Sequence, residues 1–179
     1  MDDKFAWQFS VTVSDLPADG AEFELIPDES ERATLALQAG VLAVPRLIAR
    51  VNVRPEGRAG AAVEGTLEAT VRQTCVVSLE PFDNDIEERI SLRFDATRNS
   101  IADSPQVAEV GVEDPPEPLV DGKLDLASVV AEFLTLSVDP YPRRPGAVFS
   151  PPSTGDADKE SSAFAALAKL KHDKDVKKQ

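Results

Sequence analysis

One cysteine, Cys75, and one histidine, His172, are the only soft nucleophiles in 179 residues. Cys75 is followed by Val76-Val77-Ser78. A cysteine at position 78 would complete a Cys-x-x-Cys, the spacing at which two thiolates share a metal or form a redox pair. Ser78 stands there instead, so one thiolate remains and both chemistries lose their second sulfur. A catalytic thiolate needs a base or a positive field beside it. The single histidine lies in the lysine-rich tail, so Cys75 reads as a small hydrophobe closing a strand. Asp83 and Asp85, like Glu87 and Glu88, read as solvated strand edges rather than a metal cage. Gly57, Gly60 and Gly65 open no helix and make no phosphate cradle. The sequence therefore predicts no enzyme, no catalytic residues, no cofactor and no metal.

The elements that carry these residues are legible from periodicity. Val63, Gly65, Leu67, Ala69, Val71, Gln73 and Cys75 share one face of an alternating strand, read over 62–76. A preceding strand over 47–54 joins it through Pro55-Glu-Gly-Arg-Ala-Gly60, a hairpin connection. A strand over 86–95 follows, with Ile86, Ile90, Leu92 and Phe94 on one face and Glu88 interrupting it. At the N-terminus, residues 5–13 alternate as a first strand and 15–20 are turn chemistry. Asp28 and Glu31 have capping-box spacing at the start of a helix that Gly40 ends in a left-handed cap.

Periodicity fades from 96 to 120, which reads as a mobile acidic loop. It returns in Leu124–Leu136, where Asp125 caps a helix with Leu126, Val129, Val130, Phe133 and Leu134 on its apolar face. Glu132 interrupts that face and reads as solvent-facing or as an ion pair with Arg143 or Arg144. Three prolines exclude helix from 139–145. The sum is an α+β fold: a mainly antiparallel sheet or partial barrel, two packed helices and a flexible C-terminal tail. It forms one domain over 1–149 and a linker with a short amphipathic tail over 150–179.

The chain carries a formal net charge of −13. Five lysines and two aspartates fall in 161–179, so the tail is basic and the body more acidic than the whole. An acidic body repels phosphate, because nucleic-acid affinity comes largely from lysine and arginine displacing counterions. DNA is not expected as a partner. An apolar content of 42% with 14 prolines fits a core diluted by loops. The lone cysteine, the acidic N-terminus and the lack of a long apolar run together predict a soluble cytoplasmic protein with no membrane partner.

Four segments in order resemble the YceD family, the large ribosomal RNA subunit accumulation proteins. Cys75-x-x-Ser78-Leu79-Glu80-Pro81 is similar to that family's C-x-x-C-L-E-P signature, departing from it at Ser78. Ile86–Phe94 resembles the strand that follows. Leu124-Asp125-Leu126 leading to Glu132 and Leu136 resembles its helix before a proline-rich segment. Phe164, Leu167, Leu170 and Lys171 match its closing helix. The resemblance implies a role in 23S ribosomal RNA accumulation and large-subunit assembly, without an active site.

Two readings of mechanism follow. In the first, a non-enzymatic factor receives a basic ribosomal protein or a pre-50S particle on its acidic surface, with the tail helix docking on a partner or on its own domain. In the second, the chain binds ribosomal RNA directly. Arg50, Arg54 and Arg72 would then line a sheet face on which Phe5, Trp7 and Phe9 stack bases.

Overall fold

A computed structural model describes residues 7–57, 60–96 and 116–149. The chain divides by compactness into Met1–Pro145 and Gly146–Gln179, and the architecture below is that of the first unit. Of the second, only Gly146–Phe149 is described, and it contains no helix or strand.

Three long strands form the frame: β3 (Ala43–Glu56), β4 (Gly60–Thr74) and β5 (Pro81–Asp95). Consecutive members pair antiparallel along nearly their whole lengths, with Val53 opposite Val63 and Leu67 opposite Glu88. Alternation sorts their side chains. Leu47, Ala49, Val51 and Val53 of β3 and Val63, Leu67, Ala69 and Val71 of β4 are buried on one face, while arginines and carboxylates occupy the other. Gly65 sits in the middle of the buried row. A Cβ there would lie 2.7 Å from Val51 Cα and would also meet the Arg50 carbonyl, so the approach of β3 to β4 at this point requires glycine.

Two short strands extend the sheet. β2 (Ala21–Leu25) pairs antiparallel with β3, and β6 (Glu117–Pro118) pairs parallel with β5, giving the order β2-β3-β4-β5-β6. The sheet stays open. A separate antiparallel pair joins β1 (Ser10–Thr12) to β7 (Lys123–Asp125).

The first strand is therefore shorter than its alternation predicts. Val13 already enters a single 3-10 turn, and residues 1–6 lie outside the described set. The strand at 21–25 was not legible, because its two glutamates beside turn residues hide a five-residue edge. The loop expected at 96–120 also changes at its end. Its interior lies outside the described residues, but 117–118 is strand and Leu119 is buried in the core.

Both helices cap as the sequence predicts. In α1 (Glu29–Ala39) the Asp28 carboxylate accepts from the Glu31 N–H at 2.9 Å, and the Glu31 side chain accepts from the Asp28 N–H at 2.7 Å. Gly40 ends it at φ 67°. In α2 (Leu126–Ser137) the Asp125 carboxylate accepts from the N–H groups of Ala127 and Ser128. Helix α1 packs on β3, and α2 lies over β4 and β5. Leu126, Val130 and Leu134 are fully buried against the sheet, each stabilising by roughly 1.5–3 kcal/mol.

Candidate functional site

The two described segments with the clearest motif character, 75–81 and the proline-rich stretch after α2, are fastened together. β4 ends at Thr74, and the chain turns so that the Cys75 N–H donates to the Glu80 carbonyl and the Leu79 N–H to the Cys75 carbonyl, both at 2.9 Å. The proline segment seals this turn. The Val76 N–H donates to the Pro142 carbonyl at 2.9 Å, and Arg144 pairs with Glu80 at 2.8 Å. Two residues before Cys75, the Gln73 amide nitrogen donates to the Asp139 carbonyl at 2.8 Å.

Cys75 is at the centre of the clasp and is fully inaccessible. Its sulfur accepts backbone N–H groups from Val77, Ser78 and Arg144, each at 3.4 Å. The Ser78 hydroxyl, then the Ser78 and Arg144 N–H groups, favour the thiolate against the opposing effect of burial, and Val77 adds to them. The thiol is held down to about 6 from an ordinary 9.0. The Ser78 hydroxyl is itself buried and meets no partner with regular hydrogen-bond geometry. The three N–H groups, whose geometry is defined, are the firmer cause. Ser78 supplies no second sulfur, and among the described residues no group of three or more Cys, His, Asp or Glu side chains is placed to hold a metal. This donor set does not fit structural zinc. The turn instead presents Leu79, which is 76% exposed and sits at φ 58°, a conformation a leucine rarely adopts.

The other sequence-predicted residues fall elsewhere. Asp125 and Leu126 are the cap and first buried residue of α2. Glu132 is exposed, and Arg144 pairs with Glu80 rather than with it. Phe164, Leu167, Leu170 and Lys171 lie outside the described residues.

Arg50, Arg54 and Arg72 do share the outer face of the sheet, but each meets a carboxylate. Arg50 pairs with Glu24 at 2.8 Å and with Glu68 at 3.3 Å, and Arg54 pairs with Glu64 at 2.9 Å. Arg72 grips Asp83 with two nitrogens at 2.7 and 2.9 Å, holding that carboxyl below its usual range. Arg46 likewise holds the Glu68 carboxyl down. The aromatics expected beside these arginines are not there. Trp7 is in the core at 5% exposure, and Phe9 packs against that core and edge-on to Phe23. Phe5 lies outside the described residues.

Gln73 was not singled out by the sequence reading. Its signal was available: a glutamine in register with Val71 and Cys75 on a buried face must satisfy its amide there.

Neither the curated proteins nor the solved structures compared with this chain give a match. A family model described as large ribosomal RNA subunit accumulation protein YceD matches residues 63–171. That span runs from the middle of the β3–β4 hairpin through the Cys75 turn, α2 and the proline segment, and it covers well over half of the sequence. The chain belongs to the YceD family.

Proposed function

We propose that this chain is a non-enzymatic factor that supports accumulation of 23S ribosomal RNA by holding a basic ribosomal protein or an early large-subunit particle. The family match over 63–171 carries the reading. The charge distribution supports it: the arginines best placed to meet phosphate already serve carboxylates on their own sheet, while the chain as a whole is at −13. A surface of that sign attracts basic polypeptide and repels nucleic acid, and it accelerates encounter with the former.

The test is binding of the full-length protein to small basic large-subunit proteins and, separately, to a 23S precursor fragment, each across a salt series. Capture of protein that weakens with salt, without RNA binding, is the expected result. Removal of 97–115, which holds four carboxylates and one arginine, should weaken that capture. Salt-sensitive RNA binding abolished by charge reversal at Arg50 and Arg54 would replace this reading with direct RNA recognition by the sheet.

A further inference from the structure

Strand β5 is an edge strand over most of its length. One side pairs with β4 from Pro81 to Asp95 without a register break, but the other meets β6 only at Phe94 and Asp95. Two contacts show which backbone groups face the open side. The Asp95 carbonyl accepts from the Leu119 N–H at 3.1 Å, just past β6, and the Arg89 N–H donates to the Glu88 carboxylate at 3.2 Å. Both groups turn away from β4, and both belong to odd positions. In an antiparallel strand, residues that exchange bonds with one neighbour alternate with residues that face away from it. The N–H and C=O groups of Asp83, Asp85 and Glu87 therefore point out of the sheet. Among the described residues, no backbone group meets them there.

The same stretch carries carboxylates that the sheet does not neutralise. Asp83 is gripped by Arg72, but Asp85 takes the Thr70 hydroxyl at 2.7 Å, and Glu87 lies opposite Glu68. Glu88, on the other face, meets the Ser137 hydroxyl at 3.3 Å. None of Asp85, Glu87 and Glu88 pairs with an arginine or lysine among the described residues. Free backbone groups along an edge are a template for another strand. Opposite charges across the new pairing favour it, and like charges oppose it. A second copy of β5 fits this edge poorly. Antiparallel registers centred anywhere from Asp85 to Glu87 set carboxylate opposite carboxylate. Registers centred on Glu88 or beyond bring Phe82 or a later residue of one copy beside Phe94 of the other, where β6 already lies.

We infer that the open edge of β5 receives an extended basic segment of a partner protein, which adds as a further strand beside residues 83–88. Its backbone bonds the outward groups of Asp83, Asp85 and Glu87. Lysine or arginine at alternate positions lies over Asp85 and Glu87 on the outer face, and Arg89 and Arg93 limit the basic run by repulsion. Main-chain bonds supply the binding in such an arrangement, and alternate side chains supply the selectivity. The inference rests on the proposed capture of a basic partner and gives that capture a mode and a defined edge.

The experiment follows backbone amide exchange in the full-length protein by NMR as a synthetic peptide alternating lysine with threonine is added. One control is the same peptide methylated on every backbone nitrogen, which keeps the charge and removes the strand donors. The other alternates glutamine with threonine. The lysine peptide should slow exchange at Asp83, Asp85 and Glu87, and methylation should lower affinity about tenfold or more, as several main-chain bonds are lost. Glu87→Gln should lower it about two- to fivefold, as for one cross-strand charge pair. Glu29→Gln makes the same charge change at the start of α1 and should lower it less. Glu87→Pro should lower it more than Glu87→Gln, because an edge N–H goes as well. The methylated peptide needs no variant of this chain, so it decides the matter even where Glu87→Pro does not fold. Equal binding of the methylated peptide would overturn strand addition, and equal binding of the glutamine peptide would overturn the choice of a basic segment. Edge amides already protected without peptide would overturn the open edge. Protection that grows with protein concentration would make a second copy the occupant, and protection independent of it would mean a contact within one chain. Capture of a basic large-subunit protein that ignores Glu87→Pro would sink the edge while leaving the broader function standing. Failure to capture any basic protein would remove both.

Discussion

Cys75 takes three backbone N–H groups on a sulfur that solvent does not reach, and the consequence is a pH-dependent fold. With the folded thiol held down to about 6 against an ordinary 9.0, the unfolded chain binds a proton between those values that the folded chain does not. Stability from this group is therefore fully present above about 9 and is lost as the pH falls through about 6. Urea midpoints of the wild type should rise with pH across that window relative to those of Cys75→Ser, whose hydroxyl does not titrate. Leu79 offers a second expectation. A left-handed leucine is strained by about 1–2 kcal/mol, so Leu79→Gly should be neutral or stabilising by up to about 1 kcal/mol in denaturant unfolding. A strained and exposed leucine is also a reason to measure partner capture in that variant. The burial of Cys75 was legible from its place in the alternation. Its hydrogen bonds were not, because one donor lies 69 residues away at Arg144 and no local pattern announces it.

Among the elements, β4 has the most constraints on it. It pairs on both edges, carries much of the buried face, and ends in the clasp. Gly65→Ala should cost about 3 kcal/mol, because the added methyl meets backbone rather than a flexible side chain; thermal unfolding measures it, and an unchanged melting temperature would contradict the close approach. The long strands and both helices were legible because alternation and cap spacing are local signals, as Asp28 with Glu31 and Asp125 with Leu126 show. The short strands were not. Lys123–Asp125 becomes a strand only because residues 10–12 lie beside it, and Glu117–Pro118 only because the end of β5 does. Propensity over two or three residues is too weak to compete with such tertiary partners.

At the scale of the whole molecule, the outer sheet face pairs its arginines with carboxylates and still shares in the acidic excess of the chain. The outer arginines at positions 46, 50, 54 and 72 each pair with a carboxylate, and Glu22, Asp85 and Glu87 on the same face add further negative charge. Reversing both Arg50 and Arg54 to glutamate turns attraction to Glu24, Glu68 and Glu64 into repulsion. The melting temperature should fall at low salt and recover as salt screens the face. Capture of a basic protein should persist or strengthen in the same variant. If capture is lost while the protein stays folded, the arginines are contacts in their own right. The candidate site was half legible at this scale. The Cys75 turn and the proline segment were each visible in the sequence, but their union depends on contacts across the fold.

The clasp also sets the order in which the nascent chain can fold. The meander of β3, β4 and β5 joins neighbours in sequence, so its pairings close early and cheaply during synthesis. The bonds from Arg144 to Cys75 and from Gln73 to Asp139 wait until the last strand, the last helix and the prolines have emerged. Residues 10–12 wait as well, since their strand partner is 123–125. A half-made molecule thus displays the meander with an unsealed end, and the clasp is among the last features to come into being.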